Sequence, residues 1–137
     1  MSLVVLFLAT SVIFLVLDAI MLSTVIQPLF KQHLGDQLYA GGFRLLPAAL
    51  FYLVNMLGIL WFAGWPALQA DAPGQAALNG AILGLVAYGC YELTSWAVMR
   101  DWHPQMVAAD LAWGTVLTAV SAWGGVVVTR AVLSWIG

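Results

Sequence analysis

Four long runs of apolar residues divide the chain, and short polar segments separate them. Each run has about the 20 residues that a helix needs to cross the hydrocarbon core of a bilayer. We therefore predict an all-α integral membrane protein, a four-helix transmembrane bundle in which residues 1–137 form a single transmembrane domain. The predicted spans are about 3–26, 47–65, 76–99 and 104–127, and the last helix can continue to about residue 135.

The first run is predicted to be an uncleaved transmembrane helix rather than a signal peptide. It has no basic leading segment, it contains Asp18, and no small-residue cleavage pattern follows it. Residues 27–45 are interpreted as a polar connection, the middle of which could form a short interfacial helix. The second span is predicted to begin near Pro47 and to end ahead of Pro66, and Pro104 is predicted to open the fourth.

Composition excludes several classes of protein. Hydrophobic residues make up 64% of the chain and charged residues only 7%, whereas soluble domains carry roughly a quarter charged residues. The net charge of −2 and the lack of a basic cluster predict no nucleic-acid partner. The single cysteine, Cys90, excludes an intrachain disulfide and is expected to be a small buried packing residue. His33 and His103 lack metal-ligand spacing, and no cofactor motif is present, so we predict neither metal nor cofactor.

Each span carries one strongly polar residue at a similar depth. Asp18, Asn55, Glu92 and Asp110 all fall six to eight residues from the same predicted end of their spans. At 1.5 Å per residue, this distance places all four roughly 9–12 Å from one face of the membrane. Independent scatter would seldom align four helices in this way, so we predict a common polar layer.

The three acids of this layer have no buried Lys or Arg partner in the sequence. Three ionised carboxylates close together would repel one another, so some are expected to carry a proton. Protonatable carboxylates inside a membrane favour a proton-coupled role, and nearby aromatic rings could hold a cation. The alternative is structural, with the polar groups only hydrogen-bonding between helices, and for Asn55 we favour it. The candidate ligand or proton site consists of Asp18, Asn55, Tyr88, Tyr91, Glu92, Ser95, Asp110 and Trp113.

The basic residues are distributed unevenly between the two sides. Lys31, Arg44 and Arg100 lie in the first and third connections, and only Arg130 lies on the other side. Basic residues accumulate in cytoplasmic connections, so both termini are predicted to be exoplasmic.

Several segments resemble a known family. They are FLVLDAIML, LPAALFYLVNMLGILWFAGWPAL, GAILGLVAYGCYELTSWAVMRDW and DLAWGTVLTAVSA. The most specific parts are Tyr91–Thr94, a tyrosine and an acid followed by Leu-Thr, and the Asp-x-Ala-Trp-Gly-Thr pattern of Asp110–Thr115. Together they resemble the DUF2177 family (domain of unknown function 2177) of predicted four-helix bacterial membrane proteins. The resemblance implies a multi-pass protein of the bacterial inner membrane and assigns no activity.

The chain departs from the family pattern at three positions. The family more often has Asp in place of Glu92, has Asn in place of Ser95, and lacks a polar residue at Asn55. These differences weaken Asn55 as a site residue and leave an acid at the position of Glu92.

Three functions remain open from the sequence. The first is a small membrane protein that binds or transports a small cationic or lipidic molecule, with proton exchange at the acids. The second is an accessory subunit of a larger membrane complex. The third is a membrane enzyme acting on a lipid or isoprenoid, with Glu92 or Asp110 as general acid or base. The expected partners are the bilayer and either a second copy of the chain or a larger complex.

Overall fold

The computed structural model describes residues 1–38 and 44–137, and in these two segments all regular structure is helical. Four helices are long and apolar enough to cross a membrane. They are α1 (Ser2–Gln37), α2 (Leu45–Gln69), α3 (Pro73–Val98) and α4 (Pro104–Ile136). The prediction of an all-α, four-helix membrane protein is confirmed.

Helix α4 is the centre of the bundle. It packs along α3, to which the turn at residues 99–103 joins it, and α1 packs on another of its sides. Helix α2 contacts α3 mainly through its second half, at Leu60–Gly64. Its first half, Leu45–Ile59, makes few contacts with the other helices and leaves a gap between α1, α2 and α3.

Small residues allow the close contacts of α4. A Cβ atom added to Gly84 of α3 would overlap the backbone carbonyl of Gly114 and the side chain of Thr118. On the α1 side, a Cβ atom on Gly125 would overlap Thr10. In a membrane, where lipid is as apolar as the side chains, such close backbone approach is a main source of helix association.

Helices α1 and α2 each contain one widened, π-helical turn. The turns are Leu22–Ile26 and Leu60–Gly64, and Pro28 and Pro66 follow them by two residues. Proline has no N–H group and its ring clashes with a carbonyl of the preceding turn, so widening that turn lets the helix continue. For this reason α2 runs through Pro66 to Gln69, and residues 27–37 extend α1 instead of forming a separate interfacial helix. The remainder of that predicted connection, residues 39–43, lies outside the described segments.

The extension of α1 packs on the α3–α4 turn. Trp102 is buried there among the side chains of Leu34, Met106 and Val107. Polar contacts join the same elements: the Gln37 amide donates to Asp101 over 2.7 Å, and the rings of His33 and His103 stack with centroids 4.1 Å apart. We name this end of the bundle, residues 27–38 with 99–107, the cap. The far end holds the ion pair of Arg130 and Asp71, at 2.7 Å.

The expectation that Cys90 is buried is wrong. Its thiol lies on the outer surface of α3, because the side of this helix that faces α4 is occupied by Gly80, Gly84 and Glu92. An apolar segment in a membrane helix does not distinguish a lipid-facing side from a buried one, since both are apolar.

Candidate functional site

A cavity of about 1020 Å³ fills the gap beside the first half of α2. Asp18, Tyr52, Tyr88 and Asp110 line one part of it, and the end of α1 together with Arg44 lines another. Most of the remaining wall is apolar or aromatic, formed by side chains such as Leu22, Phe30 and Phe51. Ligand pockets of proteins commonly enclose about 300–1,000 Å³, so this cavity is large enough for a drug-sized molecule.

Asp18 projects from the buried side of α1 and is only 8% exposed. The buried positions Leu6, Thr10, Phe14 and Asp18 recur every four residues, so the same stripe that packs on the bundle carries the acid. Both carboxylate oxygens have donors. The Tyr52 hydroxyl donates to Oδ2 over 2.5 Å, and the Trp113 indole N–H donates to Oδ1 over 3.4 Å.

Glu92 and Asp110 form a carboxyl pair between α3 and α4. Glu92 is 0% exposed and Asp110 is 7% exposed, so both side chains are buried. The Trp102 indole N–H donates to Oε1 of Glu92 over 3.2 Å. Within residues 1–38 and 44–137, no N–H or O–H group donates to Oε2 of Glu92. The carboxyl groups of Glu92 and Asp110 are close enough for their charges to interact across the α3–α4 contact.

A proton or a cation would satisfy this pair. An ionised carboxylate accepts hydrogen bonds and donates none, so two ionised groups at this distance repel. One proton between them turns the contact into an O–H···O⁻ hydrogen bond, which is among the strongest in proteins. Asp110 lines the cavity, whereas Glu92 lies behind it and beneath Trp102 of the cap.

Aromatic rings surround the pair and the acid end of the cavity. Tyr88 packs directly on the backbone of Gly114, where a Cβ atom would overlap its ring. The Phe51 ring meets that of Tyr88 edge to face at a centroid distance of 6.5 Å. Tyr91 lines the cavity and contacts Trp102 at 5.5 Å, also edge to face. The site therefore combines carboxyl oxygens with several ring faces.

Two basic residues, Lys31 and Arg44, also line the cavity. Lys31 comes from the extension of α1, and Arg44 immediately precedes α2. Lys31 is 13 residues beyond Asp18 on the same helix, about 20 Å along its axis. Asp36 and Gln37 line the cavity near Lys31, so this end, which we name the mouth, is mixed in charge.

The structure brings together some of the sequence-predicted residues and not others. Four of the predicted residues line the cavity: Asp18, Tyr88, Tyr91 and Asp110. Two others lie behind this lining: Glu92 lies beside Asp110, and Trp113 donates a hydrogen bond to Asp18. Neither Asn55 nor Ser95 lines the cavity. The Asn55 amide nitrogen is buried and has no hydrogen-bond acceptor among the described residues.

Two residues outside the predicted set hold its acids. Tyr52, on α2, binds Asp18, and Trp102, in the cap, binds Glu92. Tyr52 lies on the helix that also carries Asn55, eight residues before Leu60. Counting residues along this helix could therefore have placed Tyr52 near the depth of the predicted polar layer. No feature of the sequence pointed to Trp102. In the described part of the chain, His, Cys, Asp and Glu side chains form no group of three that could hold a metal ion.

Four apolar helices around a cavity with buried carboxyl groups define a small polytopic membrane protein. The chain belongs to the DUF2177 family, described as "Predicted membrane protein", whose model matches residues 3–127. The family resemblance carried by the sequence is thereby confirmed. No curated protein and no solved structure matches the chain significantly.

Proposed function

We propose that this membrane protein binds a small molecule in the cavity and exchanges a proton at the Glu92–Asp110 pair as the molecule enters or leaves. The observation that carries the proposal is the unpaired Oε2 of Glu92, fully buried beside the carboxyl group of Asp110 at the wall of a large cavity. Ionisable groups inside a membrane are costly and are most often retained for a function.

The two acids have different positions and therefore different proposed roles. Asp110 faces the cavity and can contact a bound molecule. Glu92 is enclosed by α3, α4 and the cap, and its remaining oxygen can only share a proton with Asp110. A molecule that binds Asp110 thus competes with this proton, which couples occupancy of the cavity to protonation.

Asp18 has a structural part in the same proposal. Because Tyr52 and Trp113 already donate to its two oxygens, Asp18 joins α1, α2 and α4 at the depth of the pair. It also adds negative charge to the acid end of the cavity, which favours retention of a proton by its neighbours.

The test uses a hydrophobic carbodiimide, which adds to protonated carboxyl groups in apolar surroundings and leaves an N-acylurea. Treatment of the detergent-solubilised protein at neutral pH, followed by peptide mass mapping, is expected to modify Asp110 or Glu92. Asp36, an exposed carboxylate at the mouth, is the internal control and is expected to remain unmodified.

Two variants complete the experiment. E92Q and D110N each remove one acid while conserving size, and each is expected to abolish modification of the pair, because a single remaining carboxylate facing an amide donor stays ionised. D36N is expected to behave like the wild type. If the folded wild-type protein is modified at neither Asp110 nor Glu92, no proton is held there and the proposed function is wrong.

A further inference from the structure

We infer that the cavity binds a hydrophobic organic cation, a molecule with an ammonium head group and an apolar body, with the head group at Asp110 between Tyr88 and Tyr91. The inference rests on the proposed function and adds the chemical class of the ligand.

The charges along the cavity favour a cation at its acid end. Asp18 and Asp110 line this end and Glu92 lies directly behind it. Of the two basic residues that line the described cavity wall, Lys31 is about 20 Å along α1 from Asp18, and Arg44 immediately precedes α2. An anionic head group at the acid end would meet only carboxyl groups and rings, whereas a cation has a countercharge there.

Hydrogen-bond capacity selects Asp110 as the contact. Asp18 already accepts from Tyr52 and Trp113, one donor on each oxygen. Across the described residues, the carboxyl pair of Glu92 and Asp110 accepts a single N–H bond, from Trp102 to Oε1 of Glu92. An ammonium group carries up to three N–H donors and would supply those that the pair lacks.

Ring faces beside Asp110 support the same class of ligand. Tyr88 and Tyr91 line the cavity on the α3 side, and Phe51 lines it from α2. A cation within about 6 Å of an aromatic centroid is attracted to the ring face, and more strongly where water is excluded. The apolar remainder of the wall, including Leu22, Phe30 and Ala48, can hold the body of the molecule.

Binding then exchanges one positive charge for another. In the empty site, Glu92 and Asp110 share one proton. When the ammonium group binds Asp110, that proton leaves to water, and the pair balances the charge of the ammonium instead. No covalent bond forms or breaks apart from the O–H bond that releases the proton.

Three probes with one apolar body and different head groups test the inference: octylamine, octanol and octanoate. Each is added to the solubilised protein in weakly buffered solution, and the released protons are measured. Only octylamine is expected to release protons from the wild type. At ten times its dissociation constant it is expected to slow carbodiimide modification of the pair by roughly tenfold.

Variants assign the effect to Asp110. D110N is expected to lose the proton release by octylamine. D71N, which changes a carboxylate at the far end of the bundle and outside the cavity, is expected to keep it. Circular dichroism and gel filtration of each variant check that the fold is intact. If D110N does not fold, the protection of wild-type Asp110 and Glu92 by octylamine decides the matter alone.

The outcomes separate the two proposals. Modification of the pair by carbodiimide without protection by octylamine leaves the proposed function standing and overturns the cationic ligand. Protection by octanoate or octanol instead of octylamine also overturns it. Failure of the carbodiimide to modify the pair at all removes both proposals.

The ammonium group can come from a soluble amine or from an aminolipid of the bilayer, and reconstitution distinguishes these sources. In vesicles of phosphatidylcholine alone, a soluble-amine site is modified by carbodiimide until octylamine is added. A site for the lipid head group is protected when phosphatidylethanolamine is included, without octylamine. Either result supports an ammonium ligand and identifies its source.

Discussion

Gly114 fixes the position of the Tyr88 ring, and with it one wall of the cavity. The ring lies against the α4 backbone at the place where any other residue would carry its Cβ atom. Its hydroxyl end is consequently directed along the wall that also includes Asp18 and Asp110. At the scale of single residues, the absence of a side chain at one position determines where another side chain can be.

We predict that G114A destabilises the protein by about 1–3 kcal/mol, because the added methyl group must displace Tyr88 or separate α3 from α4. Thermal unfolding in detergent, followed by circular dichroism, measures the effect. The displaced ring should also weaken protection of Asp110 by octylamine.

Gly58 is the matched control, since nothing lies within 4 Å of a Cβ atom placed there. G58A is expected to be neutral or to stabilise α2 by up to about 1 kcal/mol, the usual gain of alanine over glycine in a helix. Equal stability of G114A and the wild type would contradict the packing described for Tyr88.

Depth along a span could be derived from the sequence, but direction around it only where small and polar residues mark one side of a helix, as at Asp110, Gly114 and Thr118 of α4. Counting residues from the predicted span ends placed Asp18, Asn55, Glu92 and Asp110 at one level. In the structure, Asp18 and Asp110 line the cavity and Glu92 lies behind it, whereas Asn55 does not line it. Which side of an apolar helix faces its neighbours depends on packing, and when all sides are apolar the pattern of residues carries little of that information.

At the scale of helices, the start of α4 holds the cap together. His103 is its N-cap, and the Nδ1 atom of this ring accepts a hydrogen bond from the Gln105 backbone N–H over 3.0 Å. The same ring stacks on His33 of α1, and the Nε2 atom of His33 is 3.2 Å from the side-chain oxygen of Gln105. One side chain therefore ends a turn, begins a helix and contacts a third element.

Three substitutions separate these roles. H103A is expected to lower the free energy of unfolding by about 0.5–2 kcal/mol through loss of the N-cap hydrogen bond to the Gln105 backbone N–H, in addition to the loss of stacking on His33. H103N keeps a capping oxygen and removes only the stack, and H33A removes the stack from the other side. H33A also loses the contact of its Nε2 atom with Gln105, so the comparison that isolates the N-cap hydrogen bond is H103N with H103A. We expect H103N to unfold at the higher temperature. Equal unfolding temperatures of H103A and H103N would show that this hydrogen bond contributes nothing.

Helix bounds were predictable from the sequence except at the prolines. Pro104 was predicted to open a helix and does so, since the first turn needs no N–H group. The identical residue type at position 66 was predicted to follow the end of span two, yet α2 continues beyond it through the widened turn Leu60–Gly64. Such a turn depends on tertiary contacts that hold the helix on both sides of the proline, and these are not visible in a local pattern.

At the scale of the whole molecule, the helices extend beyond a bilayer at opposite ends. Helix α1 has 36 residues, about 54 Å, against a hydrocarbon core of about 30 Å. Its extension carries Lys31 into the cap, which also contains Arg100, while the end of α4 carries Arg130 to the other face. We propose that the cap is cytoplasmic and that both termini are exoplasmic, in a bacterial inner membrane.

Reporter fusions at the C-terminus test this orientation. Alkaline phosphatase, which is active only outside the cytoplasm, is expected to be active when fused after Gly137. Green fluorescent protein at the same position is expected to be dark. A fluorescent fusion with inactive phosphatase would place the C-terminus in the cytoplasm and the cap outside, contrary to the proposed orientation.

The carboxyl group of Glu92 is buried beside that of Asp110, and this position also affects how the stability of the chain can be raised by mutation. Two buried carboxyl groups side by side lower the free energy of unfolding wherever their shared proton is lost, so E92Q, whose amide can donate to Asp110, should raise thermal stability at alkaline pH. Natural proteins keep such unfavourable groups where activity requires them, and selection for stability alone removes them. Directed evolution of this protein for robustness would thus be expected to replace this acid early and to lose activity at the same step.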